Sequence, residues 1–301
     1  MIAFNPISLS DMDWIQAIAF SDGTRSADFN FTCMYVWDKT FRQSVCRFND
    51  RLLACSRWRG EQTYCFPIGT GPLRQSINAL SEHASYSGVP LILTGLEQRH
   101  VDLLEEEYPD RFSISEEYGS ADYIYSAGSL SSFSGRVLHG KKNHCNRFEA
   151  EHKWSFIPFT PDLIHVCSNM LTKWAIRNSS RLEDDIDDEY LAILRAFDNC
   201  ESLPLEGGVL FADGQVVGFS LGALCSNDCF DVCFEKADID MNGAYPMVCR
   251  ETVRMIVQNH PQIKYINRED DKGLESLRIS KLSYHPEFLI RKYIARSKAY
   301  D

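Results

Sequence analysis

The sequence predicts a mixed α/β protein (α+β, with mixed sheets) made of two tandem domains of the same kind, and three observations support this. Helix and strand signals follow one another in the same order in both halves of the 301-residue chain. The predicted hairpin turns at Asn49 and Asp213 are 164 residues apart, and the predicted strands near Leu91 and Ile263 are 172 residues apart. The length also suits two domains of roughly 150 residues each. Such a repeated offset indicates a duplicated unit.

The first half begins with a helix and continues with a hairpin. Ser10-Asp11-Met12-Asp13 has the pattern of a capping box before apolar positions, which predicts a helix start. Asn49-Asp50 predicts a tight turn between two strands. The aromatic segment 29–37 is interpreted as core packing rather than as a ligand cage. The other elements predicted here are strands at 43–48, 52–56, 63–67, 91–94 and 121–125 and helices at 73–85 and 97–108.

The second half repeats this order. Thr160-Pro161-Asp162 predicts a helix with proline at its first position, and Asp213-Gly214 strongly predicts a two-residue hairpin turn. The acidic segment 183–189 lacks the spacing of a calcium loop and is interpreted as a solvated loop leading into a helix. The predicted elements are a helix that begins at Pro161 and carries apolar residues as far as Leu171, helices at 188–197, 245–259 and 274–282, and strands at 209–212, 215–219, 231–236 and 264–267.

The boundary between the two domains is predicted near 127–134, where serines cluster with Gly128 and Gly135. The predicted domains are therefore residues 1–130 and 131–301. The charged segments described below lie in the second domain or at its start. We therefore expect the first domain to act mainly as structural support.

Composition excludes several classes of protein. Hydrophobic residues make up 44% of the chain, which excludes intrinsic disorder. The net charge of −11 excludes a generally basic nucleic-acid binder, so any contact with tRNA requires a local basic patch. No signal peptide is predicted, because the first six residues lack a basic start and a long apolar run. No transmembrane segment is predicted, because the longest apolar run, at 89–93, is far shorter than the ~20 residues that a span needs. The eleven cysteines then suggest free thiols in the cytoplasm.

No metal site is expected. Cys225, Cys229 and Cys233 are spaced by four residues and lack the close pairs of structural zinc sites. The chain also lacks the nucleophile-elbow, Walker A and dinucleotide-binding motifs, so hydrolase, kinase and Rossmann functions have no support.

Four segments could carry chemistry. The basic segment 136–147 suits a phosphate group, although a solvated helix start has the same composition. A glycine turn at 241–245 enters a helix and could bind an anion there, although it could equally be only a turn. Charged residues at 267–273 follow a strand, where α/β sheets place ligands, and the alternative is a polar loop. Residues 278–286 could donate protons to a leaving group. Alternatively, their basic side chains could only offset the negative end of a helix dipole.

The candidate residues fall into three sets by expected role. The phosphate or substrate set and the cofactor set come from these segments, and the catalytic set adds an acid from the strand before the glycine turn. The phosphate or substrate set is Lys141, Lys142, Asn143, Arg147, Asn267, Arg268 and Arg278; the cofactor set is Gly243, Ala244 and Tyr245; the catalytic set is Glu235, Glu269, Lys281 and Tyr284.

An ordered series of motifs resembles one known family. The series begins with the Lys-Lys-Asn-His of 135–148 and continues in order through the second half, and the resemblance covers essentially the whole chain. Its later members are Phe234-Glu235-Lys236-Ala237, Gly243-Ala244-Tyr245, Tyr265-Ile266-Asn267-Arg268-Glu269, Leu277-Arg278, Lys281-Leu282-Ser283-Tyr284 and Pro286. This series resembles the C-terminal domain family of phosphatidylglycerol lysyltransferases. The resemblance implies two tandem GNAT-like domains and a relationship to lysyl-phosphatidylglycerol synthases and Fem peptidyltransferases.

The resemblance implies an acyltransferase. The leading hypothesis is transfer of an aminoacyl group from aminoacyl-tRNA to an amine or hydroxyl acceptor such as a lipid headgroup, with a peripheral membrane contact. Glu235 or Glu269 would deprotonate the acceptor, and Lys281 or Tyr284 would stabilise the oxyanion or the leaving group. Two alternatives stay open. One is an acetyl-CoA-dependent N-acetyltransferase that binds pyrophosphate at 243–245, and the other is a non-catalytic ligand-binding protein of the same fold.

Overall fold

The computed structural model describes residues 2–58, 60–178 and 183–298 and divides them into two compact units. The first unit comprises 2–122, 270–274 and 289–298, and the second comprises 123–269 and 275–288. A single cut after residue 130 does not describe this division. The reason is that 123–130 pack with the second unit, whereas the C-terminal segment packs with the first.

Residues 2–58 and 60–116 form five helices and seven strands, with short 3-10 turns at Leu9–Asp11 and Ala27–Phe29. In chain order they are β1 (Asn5–Pro6), α1 (Met12–Asp22), α2 (Phe31–Val36), α3 (Asp38–Phe41), β2 (Ser44–Phe48), β3 (Arg51–Trp58), β4 (Glu61–Cys65), β5 (Ile68–Gly69), α4 (Leu73–Tyr86), β6 (Ile92–Leu96), α5 (Gln98–Glu107) and β7 (Phe112–Glu116).

The rest of the described chain contains the elements of the second unit and ends in a strand of the first. In chain order they are β8 (Asp122–Ser126), α6 (Ala127–Ser132), α7 (His139–Glu151), β9 (Trp154–Pro158), α8 (Ile164–Asn178), α9 (Glu183–Asp198), β10 (Glu206–Ala212), β11 (Gln215–Ser226), β12 (Cys229–Ala237), α10 (Ala244–Asn259), β13 (Tyr265–Asn267), α11 (Glu275–Leu282), β14 (Phe288–Ile290) and β15 (Tyr293–Ser297).

The first sheet is mixed and has the strand order β1-β2-β3-β4-β6-β15-β7, with β5 paired to β3. Helix α4 connects the parallel strands β4 and β6, as expected for a β-α-β crossover. Strand β15, which no sequence signal predicted, inserts antiparallel between β6 and β7. The C-terminal segment therefore completes the sheet of the first unit.

The second sheet is also mixed and has the order β14-β8-β13-β12-β11-β10-β9. Helix α10 connects the parallel strands β12 and β13. The same crossover thus occurs in both sheets, which confirms the predicted mixed α/β class and the repeated order of elements. Strand β8, which the sequence assigned to the first half, pairs antiparallel with β13 in this second sheet.

Both predicted hairpins form, because their turns combine two residues that accept positive φ. The φ angles are 47° and 57° at Asn49 and Asp50, and 51° and 80° at Asp213 and Gly214. The predicted cap at Ser10 is wrong. Ser8 caps the 3-10 turn that leads into α1, and its hydroxyl and backbone N–H both donate to the Asp11 carboxylate, each over 2.8 Å.

The aromatic segment 29–37 is core, as predicted, since all six residues of α2 are buried. The extent of one helix differs from the prediction. Helix α9 begins at Glu183, five residues before the predicted start. The side chains of 183–187, and therefore most of the acidic segment, lie outside the described residues. Among the described residues, no helix combines the length and apolar character needed to cross a membrane.

Candidate functional site

Strands β12 and β13 separate part-way along the second sheet. Their pairing runs from Cys229–Tyr265 to Asp231–Asn267, after which β12 continues to Ala237 while β13 has ended. Glu235 lies on the part of β12 that still pairs with β11 but no longer with β13, and Arg268 is the first residue after β13. The separation therefore places an acidic and a basic side chain opposite one another.

These two side chains form a largely buried ion pair. Arg268 Nη2 donates to Glu235 Oε1 over 2.7 Å, and the side chains are 13% and 9% exposed. Burial acts to lower the pKa of the Arg268 guanidinium, but the Glu235 carboxylate, together with the neighbouring Cys249, Tyr125 and Tyr284 side chains, outweighs it, so that pKa lies well above its usual value. Among the described residues, Arg268 Nη1 is buried and has no hydrogen-bond acceptor.

Tyr284 lies between this guanidinium and a lysine. The Arg268 guanidinium carbon is 4.4 Å from the centroid of the Tyr284 ring, and Lys141 Nζ is 3.8 Å from it. Burial raises the pKa of the Tyr284 phenol well above its usual value, so the phenol stays protonated. Burial, with the nearby charge of Arg268, lowers the pKa of Lys141. Tyr284 is therefore a neutral hydrogen-bond donor beside two cations.

Lys281 binds the backbone next to the ion pair. Its Nζ donates to the carbonyl oxygen of Arg268, and Tyr125 Oη donates to the carbonyl oxygen of Lys281 over 2.8 Å. Lys281 thus connects α11 to the segment that carries Arg268. We refer to Lys141, Glu235, Arg268, Lys281 and Tyr284 as the Arg268 cluster.

The backbone after β13 is shaped by two other predicted residues. Asn267 is fully buried, and its Oδ1 accepts a hydrogen bond from the Glu269 N–H over 2.7 Å. Glu269 has a φ of 54°, and its carbonyl oxygen accepts from the Tyr123 N–H over 3.1 Å. These bonds hold the Arg268 backbone at the end of the strand, so Asn267 has a positioning role here.

The Arg268 cluster combines three cations with one carboxylate, and all five of its residues were candidates from the sequence. Such a site suits a group that develops negative charge, such as the oxygen of a carbonyl under attack. The unpaired Arg268 Nη1 and the neutral Tyr284 phenol are the donors that could approach it.

The remaining basic candidates lie elsewhere. Lys142, Asn143 and Arg147 are exposed on α7, where Arg147 Nε donates to Glu151 over 2.8 Å. Arg278 Nη1 lies 3.8 Å from Glu275 on α11. Exposed pairs of this kind add little to stability.

The glycine turn before α10 is closely packed. Gly243 has a φ of 90°, and a Cβ atom there would lie 2.5 Å from the carbonyl oxygen of His144. In the first helical turn, the Ala244 N–H donates to Met241 over 3.1 Å and Pro246 has no N–H. Of the first three residues of α10, only Tyr245 can therefore have an N–H group that points outward, which is a poor arrangement for binding pyrophosphate.

Tyr245 faces a tryptophan. The Trp174 indole Nε1 donates to Tyr245 Oη over 3.1 Å, and burial raises the pKa of this tyrosine to about 12. Sequence reasoning missed this contact and two neighbours of the Arg268 cluster, Tyr125 and Cys249. The alternating aromatic residues of β8 were a signal for Tyr125, whereas a lone cysteine in a helix offers none.

Comparison of the sequence with models of known protein families identifies the family of this chain. The family model described as phosphatidylglycerol lysyltransferase, C-terminal, matches residues 22–296. The chain belongs to this family. A crystal structure of a conserved protein of unknown function from Bacteroides thetaiotaomicron is 32% identical, with a TM-score of 0.95 over 99% of this chain and 100% of that one.

Other comparisons place this member of the phosphatidylglycerol lysyltransferase C-terminal family among tandem GNAT folds. A tandem GNAT protein from the clavulanic acid pathway aligns over 100% of both chains with a TM-score of 0.52 and 11% identity. FemX aligns over 99% of this chain and 98% of its own with a TM-score of 0.64 and 9% identity. An uncharacterised protein of Mycoplasmoides gallisepticum is 28% identical over 182 residues, 59% of this chain, and the match spans only 56% of that curated relative.

Proposed function

We propose that this protein transfers an aminoacyl group from aminoacyl-tRNA to an amine or hydroxyl acceptor, such as that of a lipid headgroup. The observation that carries the proposal is the Arg268 cluster in the opening between β12 and β13. Family membership supports a transferase, and the packed start of α10 favours a donor other than acyl-CoA.

The chemistry would consist of positioning and stabilisation of charge. The acceptor nitrogen or oxygen attacks the carbonyl carbon of the aminoacyl ester. Arg268 Nη1 and Lys141 stabilise the negative charge that develops on the carbonyl oxygen. When the ester C–O bond breaks, the Tyr284 phenol donates a proton to the departing ribose oxygen. Glu235 keeps Arg268 in place and accepts the acceptor's proton.

The test is a transfer assay on the full chain with two donors in parallel. One arm contains tRNA charged with a radiolabelled amino acid and vesicles of phosphatidylglycerol, and the other contains acetyl-CoA and a polyamine. We expect label to move from aminoacyl-tRNA to the acceptor. Arg268→Gln should lower the rate about 100-fold, the scale of losing one oxyanion donor.

The matched control is Lys264→Ala, which removes an exposed lysine outside the cluster and should keep the wild-type rate. Transfer from acetyl-CoA alone would favour the N-acetyltransferase alternative. Transfer from neither donor, or transfer that Arg268→Gln leaves unchanged, would overturn the proposal.

A further inference from the structure

The second unit contains a cleft on a different face of β12 from Glu235. Its volume is about 510 Å³, within the range of small-molecule sites. One wall is a stripe of α8, and the other is formed by the β10–β11 turn and the loop that follows β12. Because neighbouring residues of a strand point to opposite faces, Lys236 points away from the Arg268 cluster and toward this side.

The side chain of Trp174 forms part of the α8 wall of the cleft, and two other side chains contact it. Its Nε1 donates to Tyr245 Oη over 3.1 Å. Lys236 Nζ lies 4.1 Å from the centroid of its ring and 2.8 Å from Glu189 Oε1. Lys236 is only 6% exposed, so a buried charge contacts the indole ring. A platform held in this way loses little conformational entropy when a planar group stacks on it.

Among the described residues, the cleft offers one cation without an ion-pair partner. Arg177 lines it, but Arg177 Nη1 is already paired with Asp238 over 2.8 Å and with Asp240 over 3.0 Å. Lys173, one residue before Trp174, is exposed at the cleft, and no ion-pair partner for it occurs among the described residues. Asn169 and Gln215 add exposed amide groups to the two walls.

We propose that this cleft binds an adenine-nucleotide group, with the base stacked on Trp174 and a phosphate at Lys173. The fixed aromatic plane matches the face of a base, the amides match its polar edge, and the lysine matches a phosphate of the same nucleotide. An aliphatic chain would use neither amide. The inference rests on the proposed function, since aminoacyl-tRNA and acyl-CoA both carry adenosine, and it names the part of the donor that the cleft would hold.

The test is calorimetric titration of the full chain with adenosine 5′-monophosphate, with cytidine 5′-monophosphate and inorganic phosphate in parallel. We expect the adenine nucleotide to bind and the other two to bind more weakly. Trp174→Ala should weaken binding about tenfold or more, on the scale of base stacking on an aromatic side chain. Trp174→Phe, which keeps an aromatic plane, should retain most of it. Lys173→Ala should weaken binding of the nucleotide but not binding of adenosine, which has no phosphate.

The control is Lys264→Ala, and thermal unfolding of each variant verifies that it folds. Competition by coenzyme A or by aminoacylated tRNA then identifies the source of the adenine group. Nucleotide binding that is unchanged in Trp174→Phe, Trp174→Ala and Lys173→Ala would overturn the inference. So would absence of binding in a protein that still transfers aminoacyl groups, and this outcome leaves the proposed function standing. Binding without transfer from any donor would instead overturn the proposed function.

Discussion

The ammonium group of Lys292 lies 2.8 Å from the carboxylate of Asp122 in the interior of the first unit, where the side chains are 4% and 1% exposed. The same ammonium lies 2.8 Å from Asp28. Burial acts to lower the pKa of Lys292, but the two carboxylates outweigh it and raise that pKa well above its usual value. The pair thus holds the segment that leads into β15 against residues that lie far earlier in the chain.

We expect Lys292→Met to destabilise the protein by about 3–5 kcal/mol, because the substitution leaves buried carboxylates without a counter-ion. The measurement is urea unfolding followed by circular dichroism. Lys298→Met removes an exposed lysine from the same segment and should change the free energy of unfolding by less than about 0.5 kcal/mol. Equal effects of the two substitutions would contradict the role of the buried pair.

The Glu235–Arg268 pair predicts strong coupling between two substitutions. Glu235→Gln and Arg268→Gln should each destabilise by about 3 kcal/mol, since each leaves one largely buried charge uncompensated. The double variant should cost clearly less than the sum of the two, because neither charge remains. A double-mutant cycle in urea measures the coupling, and strictly additive costs would show that the pair is not coupled.

Alanine substitutions at three glycines distinguish the cost of close packing from the cost of backbone strain. Gly243→Ala should destabilise by about 2 kcal/mol or more, because it combines a φ of 90° with a Cβ atom 2.5 Å from the His144 carbonyl oxygen. Gly214→Ala has a φ of 80° but open space, so we expect a cost of about 1 kcal/mol.

The third glycine is the control. Gly140 lies in α7 in open space and at negative φ, so Gly140→Ala should stabilise by about 0.5 kcal/mol. Melting curves of the three variants test this order. A neutral Gly243→Ala would show that the α7 backbone can move away and that packing does not require glycine there.

The buried His100 predicts a loss of stability in acid. Its ring stacks on Phe66 at 4.3 Å and its Nδ1 accepts the Glu97 N–H over 3.1 Å. Burial lowers its pKa from 6.5 to about 4. Below pH 6.5 the unfolded chain therefore takes up a proton at His100 that the folded chain does not. The free energy of unfolding consequently falls as the pH falls toward 4.

At pH 5 the loss from His100 should reach about 2 kcal/mol relative to pH 7. His100→Gln removes the titrating ring, and its stability should fall correspondingly less over this interval. Urea unfolding at both pH values measures the difference. His139→Gln, which removes an exposed histidine, should keep the wild-type dependence. A His100→Gln variant with the wild-type dependence would contradict this account.

The parts of the fold that were predicted correctly depend on neighbours in sequence. Asn49-Asp50 and Asp213-Gly214 form turns because each pair accepts positive φ without help from the rest of the chain. Helix α10 begins one residue before its predicted start and ends at its predicted end, since its apolar periodicity is read within one segment.

Strand β15 was missed because its partners β6 and β7 lie almost two hundred residues earlier, and a five-residue segment has too short a pattern to predict a strand by itself. Strand β8 was assigned to the first half by position, but it pairs with β13. Pairing between strands so far apart depends on the whole sheet.

In the candidate site too, some features depend on the local sequence and others on pairing between distant parts of the chain. The sequence indicated which residues could carry chemistry, because open α/β sheets place ligands at the carboxyl ends of their strands and charged residues follow β13 there. Arg268 was expected to hold phosphate, and its closest partner is instead Glu235, 33 positions earlier. That pairing exists because the crossover through α10 brings β12 and β13 side by side and then lets them separate. The sequence by itself therefore determined the class, the order of elements and the candidate residues. Only the tertiary structure decided which charges compensate one another, because compensation depends on distances across the sheet rather than on positions along the chain.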